Sequence, residues 1–287
     1  MRASHCNLPV NTEFPLTDHD FSRIRALIHR HAGIALGAQK REMVYSRISR
    51  RLRQLQLADF TSYIDLLESH ERGDEWQIFI NSLTTNLTSF FREAHHFPIL
   101  AELARNCRQP VTIWCAAASS GEEPYSIAIT LAEALGSRAG SARIVATDID
   151  TEVLRQAATG IFKSDRVGSL SPERLKRFFV KGVGTNAGHV RVRPEISAMV
   201  TFERLNLLDS AWPIKNQLDA IFCRNVMIYF DKPTQQRILE RFAPLLKPHG
   251  LLFAGHSENA SLVSPAFCSV GQTVYSLARA AAAAAAK

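Results

Sequence analysis

The stretch Val111–Ser126, VTIWCAAASSGEEPYS, together with TDID at Thr147–Asp150, constrains this chain more than any other part of it. Val-Thr-Ile-Trp is a short apolar run that fits a buried strand. The small residues Ala-Ala-Ala-Ser-Ser-Gly follow, and they let the backbone turn sharply and a ligand approach it closely. Glu122 and Glu123 open a helix predicted over Pro124–Leu135. Proline suits a first helical turn, where its missing N–H costs nothing, and acidic groups there suit the helix dipole. A second apolar run, Arg143–Ala146, leads to Asp148. Strand, small-residue turn, helix, strand and terminal carboxylate predict the first half of a nucleoside-binding α/β unit.

The details separate two kinds of nucleoside cofactor. A dinucleotide site wants G-x-G-x-x-G, so that backbone N–H groups at a helix N-terminus hold a pyrophosphate. Here Gly121 stands alone, and two carboxylates, Glu122 and Glu123, occupy the place of the phosphates. Negative charges repel a pyrophosphate and suit a ligand bearing positive charge, such as S-adenosylmethionine (SAM), with its sulfonium and ammonium groups. Asp148 is then placed to accept hydrogen bonds from ribose hydroxyls. The plainer alternative is an Ala-rich turn with two ordinary helix-start residues.

Composition sets the outer limits. The 287 residues suffice for two modest domains or one large one. No run approaches the roughly 18 apolar residues of a membrane span, and MRASHCNLPVNTEFP has no apolar secretory core. Five scattered cysteines, with no C-x-x-C, indicate neither a disulfide framework nor a cysteine-based zinc site. A cytoplasmic protein without membrane insertion is expected. The net charge of +7 favours an acidic partner.

Residues 1–90 are expected to form a separate helical domain. Thr17 begins a T-x-x-D capping signature, with Phe21, Ile24, Ile28 and His31 at helical spacing and Gly33 as a stop. A second helix is predicted from Gln39 to Leu55, a third around Phe60–Leu67 and a fourth around Trp76–Leu83. The second carries Lys40, Arg41, Arg47, Arg50, Arg51 and Arg53 against the single acid Glu42. This is either a solvated face or a docking surface for an acidic partner, with Arg47, Arg50, Arg51 and Arg53 as its core. It lacks the interleaved aromatics of an RNA-binding face, so no nucleic acid is expected.

Residues 91–108 are expected to form a connecting segment over the nucleoside pocket, with Phe90 and Phe91 packed down and Arg92 facing the reacting group. His95 and His96, adjacent and without a cysteine or carboxylate cluster nearby, predict no metal site. Residues 109–279 then complete the α/β domain. It includes a helix at Glu152–Ala158, strands at Leu218–Cys223, Leu251–Ala254 and Val274–Leu277, and a helix at Pro233–Leu246. Within it, at about 160–205, the runs Phe179–Lys181, His189–Arg193 and Val200–Arg204 predict a small inserted antiparallel sheet, whose edge can accept a peptide strand. Ligands bind beyond the carboxyl ends of strands in such folds, which points to Asn206, Leu207, Arg224, Asn225 and Tyr229. No Asn-Pro-Pro-Tyr or Asp-Pro-Pro-Tyr follows Leu218–Cys223, which disfavours an amino-nitrogen acceptor. The alanine-rich tail 280–287 is given no function.

Taken together, TTNLTSFFREAHHF, AAASSGEEPYSIAI, TDID, FCRNVMIYFD and LLFAGHSEN resemble the chemotaxis receptor methyltransferase family, CheR, over roughly Leu16 to Leu277. The resemblance implies an all-α N-terminal domain joined to a Rossmann-like, doubly wound SAM-dependent methyltransferase domain with a small antiparallel β-subdomain. It implies methyl esterification of glutamate side chains on the cytoplasmic part of bacterial chemoreceptors, with S-adenosylhomocysteine as the other product, by an enzyme recruited to receptor arrays. Carried onto matching positions, its SAM contacts are Asn86, Thr88, Arg92, Glu123, Asp148, Asn206, Leu207, Arg224 and Asn225. It further implies a receptor pentapeptide on the β-subdomain and receptor docking on the basic helix. Ala116–Ala118 departs from the glycine-containing turn of many relatives.

A carboxylate acceptor is already nucleophilic at neutral pH, so no general base is needed. Arg92 and Tyr229 are the residues expected to orient it. Methylation of RNA or of a small molecule, and a non-catalytic SAM-binding adaptor, are the alternatives. A nicotinamide dehydrogenase is the least expected of the alternatives, because the phosphate loop is missing.

Overall fold

A computed structural model of the chain describes residues 13–69, 73–108, 110–214 and 217–278. The alanine run of the tail and Cys6 lie outside the described residues. The first helix, α1 (Asp18–Ala32), starts on a complete capping box: Thr17 accepts from the Asp20 N–H and Asp20 accepts from the Thr17 N–H. It stops at Gly33, which takes a left-handed φ of 70°. A 3₁₀ turn at Ala38–Lys40 precedes α2 (Arg41–Leu55), so the predicted start at Gln39 lies in that turn. Then come α3 (Phe60–Ser69) and α4 (Asp74–Leu83). Their apolar stripes close on one another in a single core that includes Ile24, Ile48, Leu52, Phe60 and Phe79. His31, at the margin of this core, stacks on Trp76 with ring centres 3.8 Å apart.

The α/β domain follows as α5 (His96–Asn106), β1 (Thr112–Cys115), α6 (Glu122–Leu135), β2 (Arg143–Asp148), α7 (Thr151–Thr159), β3 (Ile161–Lys163), α8 (Pro172–Phe178), β4 (Phe179–Lys181), β5 (His189–Val192), α9 (Pro194–Ser197) and β6 (Val200–Arg204). It ends with β7 (Leu218–Cys223), α10 (Lys232–Phe242), β8 (Leu246–Ala254), α11 (Ala260–Val263), β9 (Phe267–Gly271) and β10 (Val274–Leu277). The large sheet has the order β6-β2-β1-β7-β8-β10-β9. Its first five strands are parallel, while β10 pairs antiparallel with both β8 and β9. Successive side chains of a strand point to opposite faces. Ile113 and Cys115 therefore join a core with Leu100 of α5 and Ile127 of α6, whereas Trp114 joins Ile238 and Phe242 of α10. Helices on both faces make the sheet doubly wound.

Three expectations need correction. Val200–Arg204 is not part of the small sheet but the edge strand of the large one, parallel to β2. The third small strand is instead β3, giving the order β3-β5-β4. An edge strand of a parallel sheet is half-exposed, so it carries the alternation of an antiparallel strand. The helix predicted to Leu246 ends at Phe242; a 3₁₀ turn follows and Leu246 already pairs with Leu218. The segment 91–108 also divides: α5 buries Phe97, Leu100 and Ala104 in the sheet core, while the polar stretch just before it reaches the pocket. Phe90 anchors that stretch, meeting Phe162 and Phe179 of the small sheet edge-on at 5.0 and 5.6 Å.

Gly121 makes the turn into α6 possible. Its φ is +99°, and a Cβ there would stand 2.9 Å from the Cβ of Ala157. Gly121→Ala is therefore expected to destabilise the fold by about 1–3 kcal/mol in urea unfolding, from backbone strain and the clash with α7.

Candidate active site

Beyond the carboxyl ends of β1, β2 and β7 lies a cavity of about 410 Å³, within the usual range for small-ligand sites. Its far walls come from Ala32–Met43 of the helical domain and from the polar stretch after α4. The domains meet there through hydrogen bonds to backbone carbonyls: Ala35 N–H to the Tyr229 carbonyl at 2.8 Å, and the Asn206 side-chain amide to the His31 carbonyl at 2.6 Å.

Asp148 ends β2. Its carboxylate accepts from the Ser119 N–H at 2.8 Å and the Asp150 N–H at 3.0 Å. Burial nevertheless pushes its pKa up to about 6, because those two N–H bonds and others only partly offset desolvation. Ser119 reaches it from a left-handed φ of 48°. Asp150 faces the other way, capping α7 and accepting from Thr84 at 2.6 Å and from the Asn86 amide at 2.7 Å.

Glu122 and Glu123 were expected to face the ligand together. They do not, because consecutive helical residues point about 100° apart. Glu122, buried, pairs with Arg166 and Ser120 away from the cavity. Glu123 lines the cavity and binds Arg224 at 2.7 Å. It also accepts from the Cys115 thiol at 3.3 Å. Burial pushes its pKa up against the pull of Arg224.

Arg224 has no exposed side-chain surface and also faces Glu93 at 3.4 Å. The terminal nitrogen that faces Glu93 also donates to the Arg92 carbonyl. Glu93 escaped the sequence reading, and its only sequence signal is its place beside Arg92. Burial raises its pKa, but Arg224, the Asn225 amide and the His256 N–H together bring it below the usual range. Arg92 lies between two residues with left-handed backbone, Phe91 at φ 52° and Glu93 at φ 54°. Such conformations are rare in non-glycine residues and gather at functional sites. The Arg92 guanidinium donates to the Leu87 carbonyl at 3.0 Å.

His95 and His96 were expected to have no carboxylate cluster nearby. His95 sits ahead of the first turn of α5, and the two rings lie 4.2 Å apart. With Glu93 they bring three donor atoms within 4.8 Å. The cation facing this group is Arg224, which together with burial and His95 holds the His96 imidazole near a pKa of about 4.

All ten residues predicted for the cofactor and the acceptor line this one cavity: Asn86, Thr88, Arg92, Glu123, Asp148, Asn206, Leu207, Arg224, Asn225 and Tyr229. The four predicted docking arginines lie outside it and are less uniform than their sequence. Arg47 is spent on the Ser82 and Thr84 carbonyls, at 3.1 and 2.6 Å. Arg51 pairs with Glu75 at 2.5 Å and Arg53 with Glu13 at 2.6 Å. Arg50 is exposed.

With this geometry in view, the comparisons with known proteins are decisive. Residues 86–276 match the model of the CheR methyltransferase SAM binding domain, and residues 19–84 that of the CheR methyltransferase all-alpha domain. The chain belongs to the CheR methyltransferase family. It is 59% identical over 265 residues to a chemotaxis protein methyltransferase of Klebsiella aerogenes, covering 92% of this chain and 91% of that one. It is 55% identical over 272 residues to the chemotaxis protein methyltransferase of Escherichia coli K12, covering 95% of each. Chemotaxis protein methyltransferase 2 of Pseudomonas aeruginosa is 55% identical over 269 residues, covering 93% of this chain and 95% of that one. The cofactor of this CheR chain is SAM. A crevice with Asp148 and Glu123 at its inner end and a small-residue turn beside them fits a cationic nucleoside.

Removing Arg224 leaves the half-buried Glu93 and the buried Glu123 without their cation. Arg224→Met is expected to cost about 3–5 kcal/mol in thermal or urea unfolding. Arg155→Met, which breaks an exposed pair with Glu152, is expected to leave the unfolding midpoint unchanged.

Proposed function

We propose that this CheR-family chain transfers the methyl group of SAM to glutamate side chains on the cytoplasmic part of bacterial chemoreceptors, forming methyl esters during chemotactic adaptation. One observation carries this reading: the same cavity is lined by the carboxylates Asp148 and Glu123 and by Arg92, Lys40 and Tyr229. The carboxylates suit the charge of SAM, and the cations and the phenol suit a carboxylate acceptor. When bound, SAM supplies an electrophilic methyl on sulfur, which a carboxylate oxygen attacks in line, leaving S-adenosylhomocysteine.

The chain's own part is placement. Asp148 accepts the ribose hydroxyls, and Asn86, Thr88, Asn206, Leu207 and Asn225 shape the cofactor wall. Glu123 and Arg224 hold the amino-acid end. Arg92 and Tyr229 orient the acceptor glutamate beside the methyl group. Neither moves a proton, because the acceptor is already ionised. Orientation of two reactants in a water-poor site is worth about 7–11 kcal/mol in favourable cases. Among the described residues no helix is long and apolar enough to cross a membrane. The enzyme is proposed to act from the cytoplasm, drawn to receptor arrays by the exposed part of the basic α2 face and by a receptor pentapeptide added to the small sheet.

Labelled methyl from SAM is expected to appear on receptor-bearing membranes and to leave as methanol in mild base, as esters do and N-methyl groups do not. Base-stable label, or label on RNA alone, would refute the assignment. Arg92→Ala and Tyr229→Phe are each expected to lower turnover about 100-fold at saturating SAM. Normal turnover in both would remove them from the acceptor site.

The ionised form of Asp148 is the one that accepts ribose hydroxyls, and its pKa in the free protein is about 6. As pH falls through that value the carboxyl gains a proton and loses the interaction. The Kd for SAM is expected to be flat above neutrality and to rise about tenfold per pH unit below about pH 6. Calorimetric titration should show this slope in the wild type and no such slope in Asp148→Asn.

A further inference from the structure

Two large apolar side chains stand out of the surface at the edge of the cavity. Leu87 is 77% exposed and Ile228 is 53% exposed, and both belong to the cavity lining. They come from different walls, Leu87 from the stretch after α4 and Ile228 from the turn after β7. Scattered apolar residues are ordinary on protein surfaces. A pair at the rim of one catalytic cavity is a different matter, because it is wetted at the place where water must be excluded for the reaction.

Neither residue hangs on a loose backbone. The Leu87 carbonyl accepts from the Arg92 guanidinium. The Ile228 N–H donates at 3.3 Å to Glu258, whose other oxygen accepts from Asn225 and Gly255. Glu258 is buried, so the Ile228 turn is held from behind. Side chains presented on fixed backbone lose little further freedom on contact.

The same rim carries Lys40 and Arg92. A small-molecule acceptor sits inside the cavity and gains nothing from outward-facing apolar groups. A nucleic-acid strand is drawn by the cations but finds no aromatic stacking partner in an aliphatic pair. A protein segment uses both, with an acidic side chain entering the cavity and apolar neighbours covering its edge.

We propose that Leu87 and Ile228 form an apolar clamp that seats the receptor segment carrying the acceptor glutamate. This rests on the receptor-glutamate reading above and specifies how that acceptor is bound. The clamp touches the segment around the glutamate and does not touch SAM, so it acts on acceptor affinity.

The test uses the full chain with receptor-bearing membranes at saturating SAM. Leu87→Ser and Ile228→Ser are expected to raise KM for receptor roughly threefold each, and the double variant about tenfold. The kcat should stay within about twofold and the Kd for SAM should not change. Leu87→Met and Ile228→Leu are expected to restore wild-type KM. Both positions are exposed, so unfolding midpoints should match the wild type. An unchanged receptor KM in the double variant overturns the clamp while leaving receptor methylation standing. So does a parallel loss of SAM affinity, which would put the pair in the cofactor site. A wild-type enzyme that methylates no receptor glutamate overturns the functional reading, and the clamp with it.

Discussion

A single guanidinium without exposed surface ties the active site together. Arg224 leaves the end of β7 and reaches two segments that the fold would otherwise leave independent. These are the first turn of α6 through Glu123, and the linker through Glu93 and the Arg92 carbonyl. A cation in such a place depends on its partners, because its desolvation is not recovered otherwise; both terminal nitrogens are engaged, while Nε has no hydrogen-bond partner among the described residues. The pairing is extended outward by carboxylates that collect backbone donors. Glu93 accepts from Asn225 and His256, and Glu258 accepts from Asn225, Ile228 and Gly255. The loops after β7 and β8 are thereby fixed to the segment that carries Arg92. The left-handed residues Phe91 and Glu93 persist because this network over-determines them.

What the sequence made legible, and what it hid, follows the range of the interactions. The four helices of the first domain, the β1–α6–β2 unit and β7 are set by local periodicity and caps, and were read close to their observed limits. Most of the failures need a partner distant in the chain. Val200–Arg204 alternates like a hairpin strand, yet pairs in parallel with a strand more than fifty residues earlier, at Ile144–Asp148. The mostly exposed β9 has too weak a pattern to announce itself. The basic stretch of α2 looks like one uniform surface because its acids are elsewhere: Glu75 is 24 residues from Arg51, and Glu13 is 40 residues from Arg53. The cavity residues were legible because strand ends and family motifs mark them, whereas Glu93 became visible only when the fold placed it against Arg224.

The arrangement of charge inside the cavity also orders events. A chain of net charge +7 attracts an acidic partner at its surface, yet Asp148 and Glu123 hold negative charge at the deep end of the crevice. A cationic nucleoside is drawn past the cations of the mouth to the only end that stabilises it. A carboxylate is repelled from that same end until the nucleoside has neutralised it. For the proposed reaction this favours filling from the inside out, with cofactor before acceptor. Both reactants begin charged and both products are neutral at the reacting atoms. Methyl transfer therefore removes the attractions that assembled the complex, and the same electrostatics that bring the substrates in weaken their hold on the products.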